Sequence, residues 1–298
     1  MLILVNTSSN GGRGAERWTR VERALRDRGT AFTAYATRTA EDAARLVAES
    51  TDDVVVAAGG DGTVNGVLNA ILRMRPTAAL GAIGLGSSND FHKPFDAAIE
   101  DVPVRLGPPR AVDVGRATFV TADGTERTRH FCLNASVGLV ADGNAFFNTD
   151  DAALLWLKRR NVDAAIAYTA VVNLIRFRPV HARVSLDGAP ARTARFASLG
   201  ILKRVHFAGG MRYDTPVTAD DGHFDVAMWE RTERPSLVRT LASLSRGRFR
   251  GLPGAKTWRA RTVRIEPERP VHLELDGEVT KVLRAELTVI PKAIRVCS

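Results

Sequence analysis

Two apolar rhythms alternate through the first hundred residues. LILV at 2–5 is an unbroken apolar run, followed by the polar, glycine-containing turn NTSSNGGRGA. Between 16 and 28, Trp18, Val21 and Leu25 fall three and four apart, the spacing of one helical face. FTAYAT at 32–37 alternates like a strand, and AEDAARLVAE at 40–49 returns to helical spacing. DVVVAAGG at 53–60 predicts a strand and a turn, and the helix after it places Val64, Val67, Leu68 and Ile71 on one face. LGAIGLG at 80–86 is a further strand, closed by SSND. Strands alternating with helices in this way predict an α/β unit around a mostly parallel sheet.

After about residue 100 the pattern changes. DVGRATFV, RHFCLNASVG, ARVSLDG, RTARFASLGI, GHFDVAMWE, TVRIEP, VHLELDG and AELTVI are short strand candidates separated by Gly, Pro and Asp. Two helical stretches interrupt them, DAALLWLKRRNVDAAIAYTAVVNLI and SLVRTLASLSRGRF. This predicts a second, β-rich domain. The division is placed at 1–120 and 121–298, with a return of the last strand to the first domain left open.

Composition narrows this only a little. The chain has 298 residues, 45% hydrophobic and 25% charged, as expected of a soluble globular protein with one large or two medium domains. The net charge of +9 suits phosphorylated substrates or an anionic membrane surface, or simply a basic proteome. No Lys/Arg run is long enough to favour nucleic acid. Cys132 and Cys297 have no metal-site spacing and match a reduced, cytoplasmic compartment. The start MLILVNTSSN lacks a basic n-region, so no signal peptide is expected. AAIAYTAVVNLIRF, at 14 residues, is too short to span a bilayer. It reads as a buried helix or strand, or an interfacial element, so any membrane contact is expected to be peripheral, at the inner membrane surface.

The densest chemistry lies in GGDGT. Gly59 and Gly60 end a strand without side chains, so phosphates can approach backbone N–H groups. Gly62 allows a further open conformation, Thr63 can cap or contact an anion, and the helix that follows offers its positive end. Asp61 repels phosphate unless Mg²⁺, a proton or a sugar hydroxyl stands between them. That favours a nucleotide with Mg²⁺ over a bare anion nest, with a tight strand-to-helix turn as the structural alternative. Neither GxxxxGK[ST] nor a GxGxxG run after the first strand is present.

GGDGTVN resembles the signature of the diacylglycerol kinase catalytic-domain family, which includes bacterial lipid kinases and sphingosine kinases and is related to the NAD kinases. NTSSNGGRG at 6–14, LGSSNDFHK at 85–93, DVGR at 113–116, FCLNASVGLVADG at 131–143, TADDGHFDV at 218–226 and ELDGEV at 274–279 resemble further family blocks, in family order. The resemblance implies an α/β N-terminal nucleotide-binding domain, a C-terminal β-sandwich, and ATP-dependent phosphorylation of a lipid hydroxyl, diacylglycerol or a related lipid. By motif match Asn6, Thr37, Gly59, Gly60, Asp61, Gly62, Thr63 and Asn65 surround ATP, and Ser87, Asn89 and Asp90 complete the pocket. Glu278 matches the general base. Asp61 is the second catalytic candidate, as a Mg²⁺ partner or a proton acceptor. Asp221 matches the ligand of a structural magnesium, with the backbone oxygens of Thr218 and His223 as companions. A homodimer is compatible with the resemblance.

Four positions depart from the family pattern. Thr7 replaces a proline, Ser87 a threonine, and His92 and Lys93 stand where Ala and Arg are usual. Arg13 and Lys93 are candidate phosphate partners. Trp156 and its neighbouring leucines line an acyl groove or pack in a core, and Lys158, Arg159 and Arg160 face lipid headgroups or solvent. Asp276 and Gly277 also read as a plain hairpin turn. The alternatives are a kinase of another hydroxylated small molecule, an NAD kinase, which LGSSNDF and DGE disfavour, and a non-catalytic nucleotide- or lipid-binding regulator.

Overall fold

In the computed structural model, which describes residues 1–298, the unbroken apolar runs of the N-terminal third pair side by side. β1 (Leu2–Val5) runs parallel to both β2 (Thr33–Ala36) and β3 (Val54–Gly59), and β3 runs parallel to β4 (Ala79–Gly84). β1 and β4 are buried along their whole length and β3 along nearly all of it, which is why they read as continuous apolar runs. β2, on the edge, is mostly exposed. The crossovers are α1 (Gly14–Asp27), α2 (Ala40–Glu49) and α3 (Asp61–Met74). α1 buries Trp18, Val21 and Leu25, and α3 buries Val64, Val67, Leu68 and Ile71. α2 begins with a reciprocal cap, the Thr39 hydroxyl accepting from the Asp42 N–H while the Asp42 carboxylate accepts from the Thr39 N–H. Beyond β4 lie β5 (Ala98–Ile99) and β6 (Val102–Arg105), the latter antiparallel to β4.

The chain divides into one unit of Met1–Val114 with Pro291–Ser298 and another of Gly115–Ile290. β7 (Pro109–Thr121) leads into the second. There β8 (Glu126–Phe131) and β9 (Asn134–Gly138) precede three helices, α4 (Leu139–Phe147), α5 (Ala152–Arg160) and α6 (Val162–Arg176). Then follow β10 (Val180–Leu186), β11 (Arg192–Phe196), β12 (Ser198–Leu202), the short pair β13 (His206–Phe207) and β14 (Met211–Arg212), and β15 (Phe224–Trp229). α7 (Arg234–Leu244), β16 (Ala255–Ala260), β17 (Thr262–Pro267), β18 (Val271–Leu275) and β19 (Glu278–Cys297) complete it. β9 pairs antiparallel with β12 and β18, β12 with β15, β15 with β16, β18 and β17 with β19, and β10 with β11 and β17. The result is a β-sandwich over a core that includes Phe119, Phe131, Phe196, Leu199, Phe224, Ile265 and Leu287. The end of β19 leaves this unit, and Arg295 and Val296 pair parallel with Ala79 and Leu80 of β4 in the first.

Three elements differ from the periodicity. The single helical stretch expected at 151–175 is broken at Asn161, whose side chain accepts from the Ala164 N–H and starts α6 afresh. α6, which holds the longest apolar run, buries only Ala165 and Thr169. RHFCLNASVG, expected as one strand, is two, because Cys132 and Leu133 turn their amides out of the ladder toward an acidic side chain. LVADGNAFF forms α4, which its weak apolar spacing and interior Gly143 did not signal.

Candidate active site

The first unit gathers polar residues at the ends of β1, β3 and β4. A Cβ on Gly59 would collide with Thr63, and one on Gly86 would lie against the Gly60 Cα, so backbone meets backbone there and only glycine fits. α3 starts at Asp61 with no side chain capping it, and its first-turn amides lack intrahelical acceptors. Asn6 joins the first turn to α3, donating from Nδ2 to the Thr63 hydroxyl at 3.1 Å and accepting from the Ser8 hydroxyl at 2.7 Å. Thr37 closes β2 with its N–H on the Val5 carbonyl, 2.9 Å away. Asn65 is buried, and its carbonyl oxygens receive the Asn69 amide. Ser87 is exposed, and the neighbouring Ser88 hydroxyl is the one turned inward, onto Asp90 at 2.8 Å.

The acids hold the SSND loop. Asp61 accepts the Asp90 N–H on Oδ2 at 3.1 Å and the Phe91 N–H on Oδ1 at 3.0 Å. Asp90 accepts Lys93 Nζ at 2.7 Å, so the lysine expected as a phosphate partner is matched within its own loop. Arg13 stands at the start of α1. Two bases that the sequence reading did not single out also hold this region. Arg17 donates to the Gly86 carbonyl at 2.9 Å, and the buried Arg105 donates to the carbonyls of Phe91 and His92 at 3.0 and 3.3 Å. Arg17 sits one position before Trp18 and reads as solvent-facing, and Arg105 lies in a β-run too short to assign faces.

Asn89 has φ of +51°, a conformation that asparagine tolerates. Its Nδ2 binds the carbonyls of Gly84 and Gly86, and its Oδ1 is buried with no partner. An orphaned buried acceptor beside a glycine cradle and an uncapped helix start calls for a donor. A nucleotide supplies one in a ribose hydroxyl or an exocyclic amine, so the residues present fit ATP.

His92, 3% exposed, has no partner on either ring nitrogen. Burial, then the positive charges of Arg105 and Arg17, push its pKa down to about 3. In the unfolded chain it titrates at about 6.5. The folded form therefore binds fewer protons between these values, and its stability is full above about 6.5 and falls as pH drops toward 3. By pH 5 the loss is about 2 kcal/mol. Chemical denaturation at pH 7 and pH 5 measures it, and His92→Leu flattens that limb.

In the second unit Glu278 is the exposed first residue of β19, paired across a two-residue turn with Leu275. Asp276 (φ +49°) and Gly277 (φ +92°) form that turn, the positive-φ pair of a type I′ hairpin. Asp276 does more than turn the chain. Its carboxylate accepts the N–H groups of Cys132, Leu133 and Asn134 at 2.8, 2.8 and 3.0 Å. The buried Glu274 accepts the Gly277 N–H at 2.6 Å and the Ser136 hydroxyl at 2.7 Å. Asn134 donates to the His206 carbonyl at 2.8 Å. Glu274 was missed because LEL alternation places it opposite two core leucines, where a solvent-facing acid is expected.

Thr218, Asp221 and His223 do converge, but on an ammonium. Lys203 Nζ donates to the carbonyls of Thr218 and His223 at 3.0 and 2.9 Å and lies 3.5 Å from Asp221 Oδ1. Asp221 Oδ2 accepts from Arg259 at 2.6 Å. The donor set implied for a structural magnesium therefore does not fit one as these residues stand.

An α/β unit with a glycine cradle and a β-sandwich displaying a carboxylate on a rigid hairpin together make the two-domain kinase fold shared by diacylglycerol kinases and NAD kinases. Residues 1–117 match the diacylglycerol kinase catalytic domain, and residues 136–298 match the YegS C-terminal NAD kinase beta sandwich-like domain. The chain belongs to this diacylglycerol kinase and YegS-like family. It is 30% identical over 267 residues to "Probable lipid kinase YegS-like" of Stenotrophomonas maltophilia, covering 85% of this chain and 82% of that one. It is 23% identical over 276 residues to a diacylglycerol kinase of Bacillus subtilis, covering 88% and 84%. A diacylglycerol kinase crystal structure from Bacillus anthracis superposes with a TM-score of 0.69 at 16% identity, over 99% of this chain and 95% of that one. Yeast NADH kinase gives 0.51 at 11% identity, over 99% and 81%, which speaks for the fold alone.

Proposed function

We propose that this protein transfers the γ-phosphate of ATP to the hydroxyl of a lipid, diacylglycerol or a close relative. The observation that carries the reading is Glu278, an exposed carboxylate on a turn that Asp276 and Glu274 hold rigid. Such a group suits a general base, whose task requires a fixed position more than burial. The glycine cradle and the start of α3 bind the phosphates, and Asn89 Oδ1 takes a donor from the nucleoside. Magnesium bound with the nucleotide neutralises phosphate charge. Glu278 accepts the proton of the acceptor hydroxyl, the oxygen forms a bond to the γ-phosphorus, the bond to the β–γ bridging oxygen breaks, and ADP leaves.

A lipid acceptor is favoured by the helices of the second unit. Trp156, Val171 and Ile175 are 52, 55 and 67% exposed. The same helices carry Lys158, Arg160 and Arg176, which lie over the rings of Phe147, Trp156 and Phe146. Exposed apolar side chains on helices that also carry bases suit the surface of an anionic bilayer. No helix is long and apolar enough to cross one, so the contact proposed is peripheral. The test is incubation with γ-labelled ATP and Mg²⁺ against diacylglycerol in anionic vesicles and a panel of water-soluble alcohols and nucleotides. Label is expected in the extracted lipid, with the protein sedimenting alongside the vesicles. Label confined to water-soluble products would replace this reading with a kinase of a polar acceptor.

A further inference from the structure

Lys203 follows β12 and is 1% exposed. A buried ammonium is costly unless acceptors surround it. Here two backbone carbonyls and a carboxylate receive it, the same three oxygens that the family resemblance assigns to a structural magnesium. The spacing is that of an ammonium. Its oxygens lie at 2.9 to 3.5 Å, whereas magnesium draws its ligands to about 2.1 Å and demands near-octahedral geometry. Asp221 is further committed. Its Oδ1 also accepts the His223 N–H at 3.1 Å, and its Oδ2 takes the Arg259 guanidinium. His223 is tied in turn, with Nδ1 2.8 Å from the Asp221 carbonyl and Nε2 accepting from Arg261 Nε at 3.3 Å. A divalent ion at this point would sit against two cations, and their repulsion would have to be overcome.

We infer that Lys203 is a built-in cation standing in for a structural divalent metal. Its side chain reaches from the end of β12 to the 218–223 segment and fixes that segment ahead of β15. The second unit then folds without bound metal, and the divalent requirement of the protein is that of its nucleotide alone. This inference is independent of which hydroxyl receives the phosphate.

The test uses the full chain without nucleotide. After dialysis against a chelator, wild-type protein is expected to carry no stoichiometric metal by mass spectrometry. It is also expected to melt at the same temperature with chelator or with Mg²⁺, Ca²⁺ or Mn²⁺. Lys203→Met keeps the apolar stem and removes the charge, and its midpoint is expected to fall by about 10 °C. One equivalent of metal in the wild type that Asp221→Asn removes would overturn the inference, as would a Lys203→Met midpoint equal to wild type. If Lys203→Met does not fold, the metal content of wild type and Asp221→Asn decides the question alone.

Discussion

Glu278→Gln is expected to lower kcat by about 10²–10⁴-fold while leaving the KM for ATP close to wild type, since a general base contributes on that scale. The substitution keeps the shape of the side chain and removes only its capacity to take a proton. It falls on an exposed position, and the turn beneath it is held by Asp276 and Glu274 through backbone amides of 132–134 and 277. Folding stability should therefore stay within about 0.5 kcal/mol of wild type, as for an ordinary surface change. One further measurement makes the assignment specific: nucleotide binding, followed by calorimetry, should persist. Wild-type-like turnover in Glu278→Gln would remove the residue from the chemistry. A wild type that binds ATP and turns over no acceptor would favour a non-catalytic regulator.

What was legible in the sequence follows from where hydrophobic burial is periodic. β1, β3 and β4 are buried on both faces and announce themselves as apolar runs, and α1 and α3 each present one apolar stripe. The glycine turn and the SSND stretch were legible as chemistry, and they lie together because Asp61 bonds the amides of Asp90 and Phe91. The polar scaffolding was not legible. Arg17 and Glu274 are charged residues at positions where pattern alone predicts solvent, and they, like Arg105 and Lys203, are held by partners outside their own elements. Asp276 was visible as half of a turn dipeptide. That its carboxylate gathers three amides more than 140 residues upstream is a fact of tertiary structure. The same long-range bonding split the predicted FCLN strand, so one missed contact accounts for both departures. The division of 151–175 into two helices was a local signal, the capping Asn161, overridden in the reading by uninterrupted apolar spacing on either side.

Asp61→Asn separates a role in holding the SSND loop from a role toward the cation of the nucleotide, and a loss of about 100-fold in kcat/KM for ATP is expected. Each carboxylate oxygen of Asp61 accepts one backbone N–H from the loop carrying Asn89 and Asp90. Asparagine keeps one acceptor and turns the other atom into a donor facing an N–H, so one charge-assisted bond is lost and replaced by a clash of donors. The loop that orients Asn89 loosens, and the nucleotide loses the fixed partners that bind it. If loop placement is the whole of the role, the loss falls on KM for ATP and the concentration of Mg²⁺ needed for half-maximal rate stays unchanged. If Asp61 also faces the cation that travels with the nucleotide, that concentration rises and excess Mg²⁺ restores part of the rate. A kinetic titration of both variables in Asp61→Asn, set beside Asp61→Ala, distinguishes them. Alanine removes both acceptors without adding a donor, so under the loop-placement role it leaves two amides unpaired rather than opposed. Should Asp61→Asn match wild type in both parameters, neither the clamp nor the cation reading of this carboxylate stands.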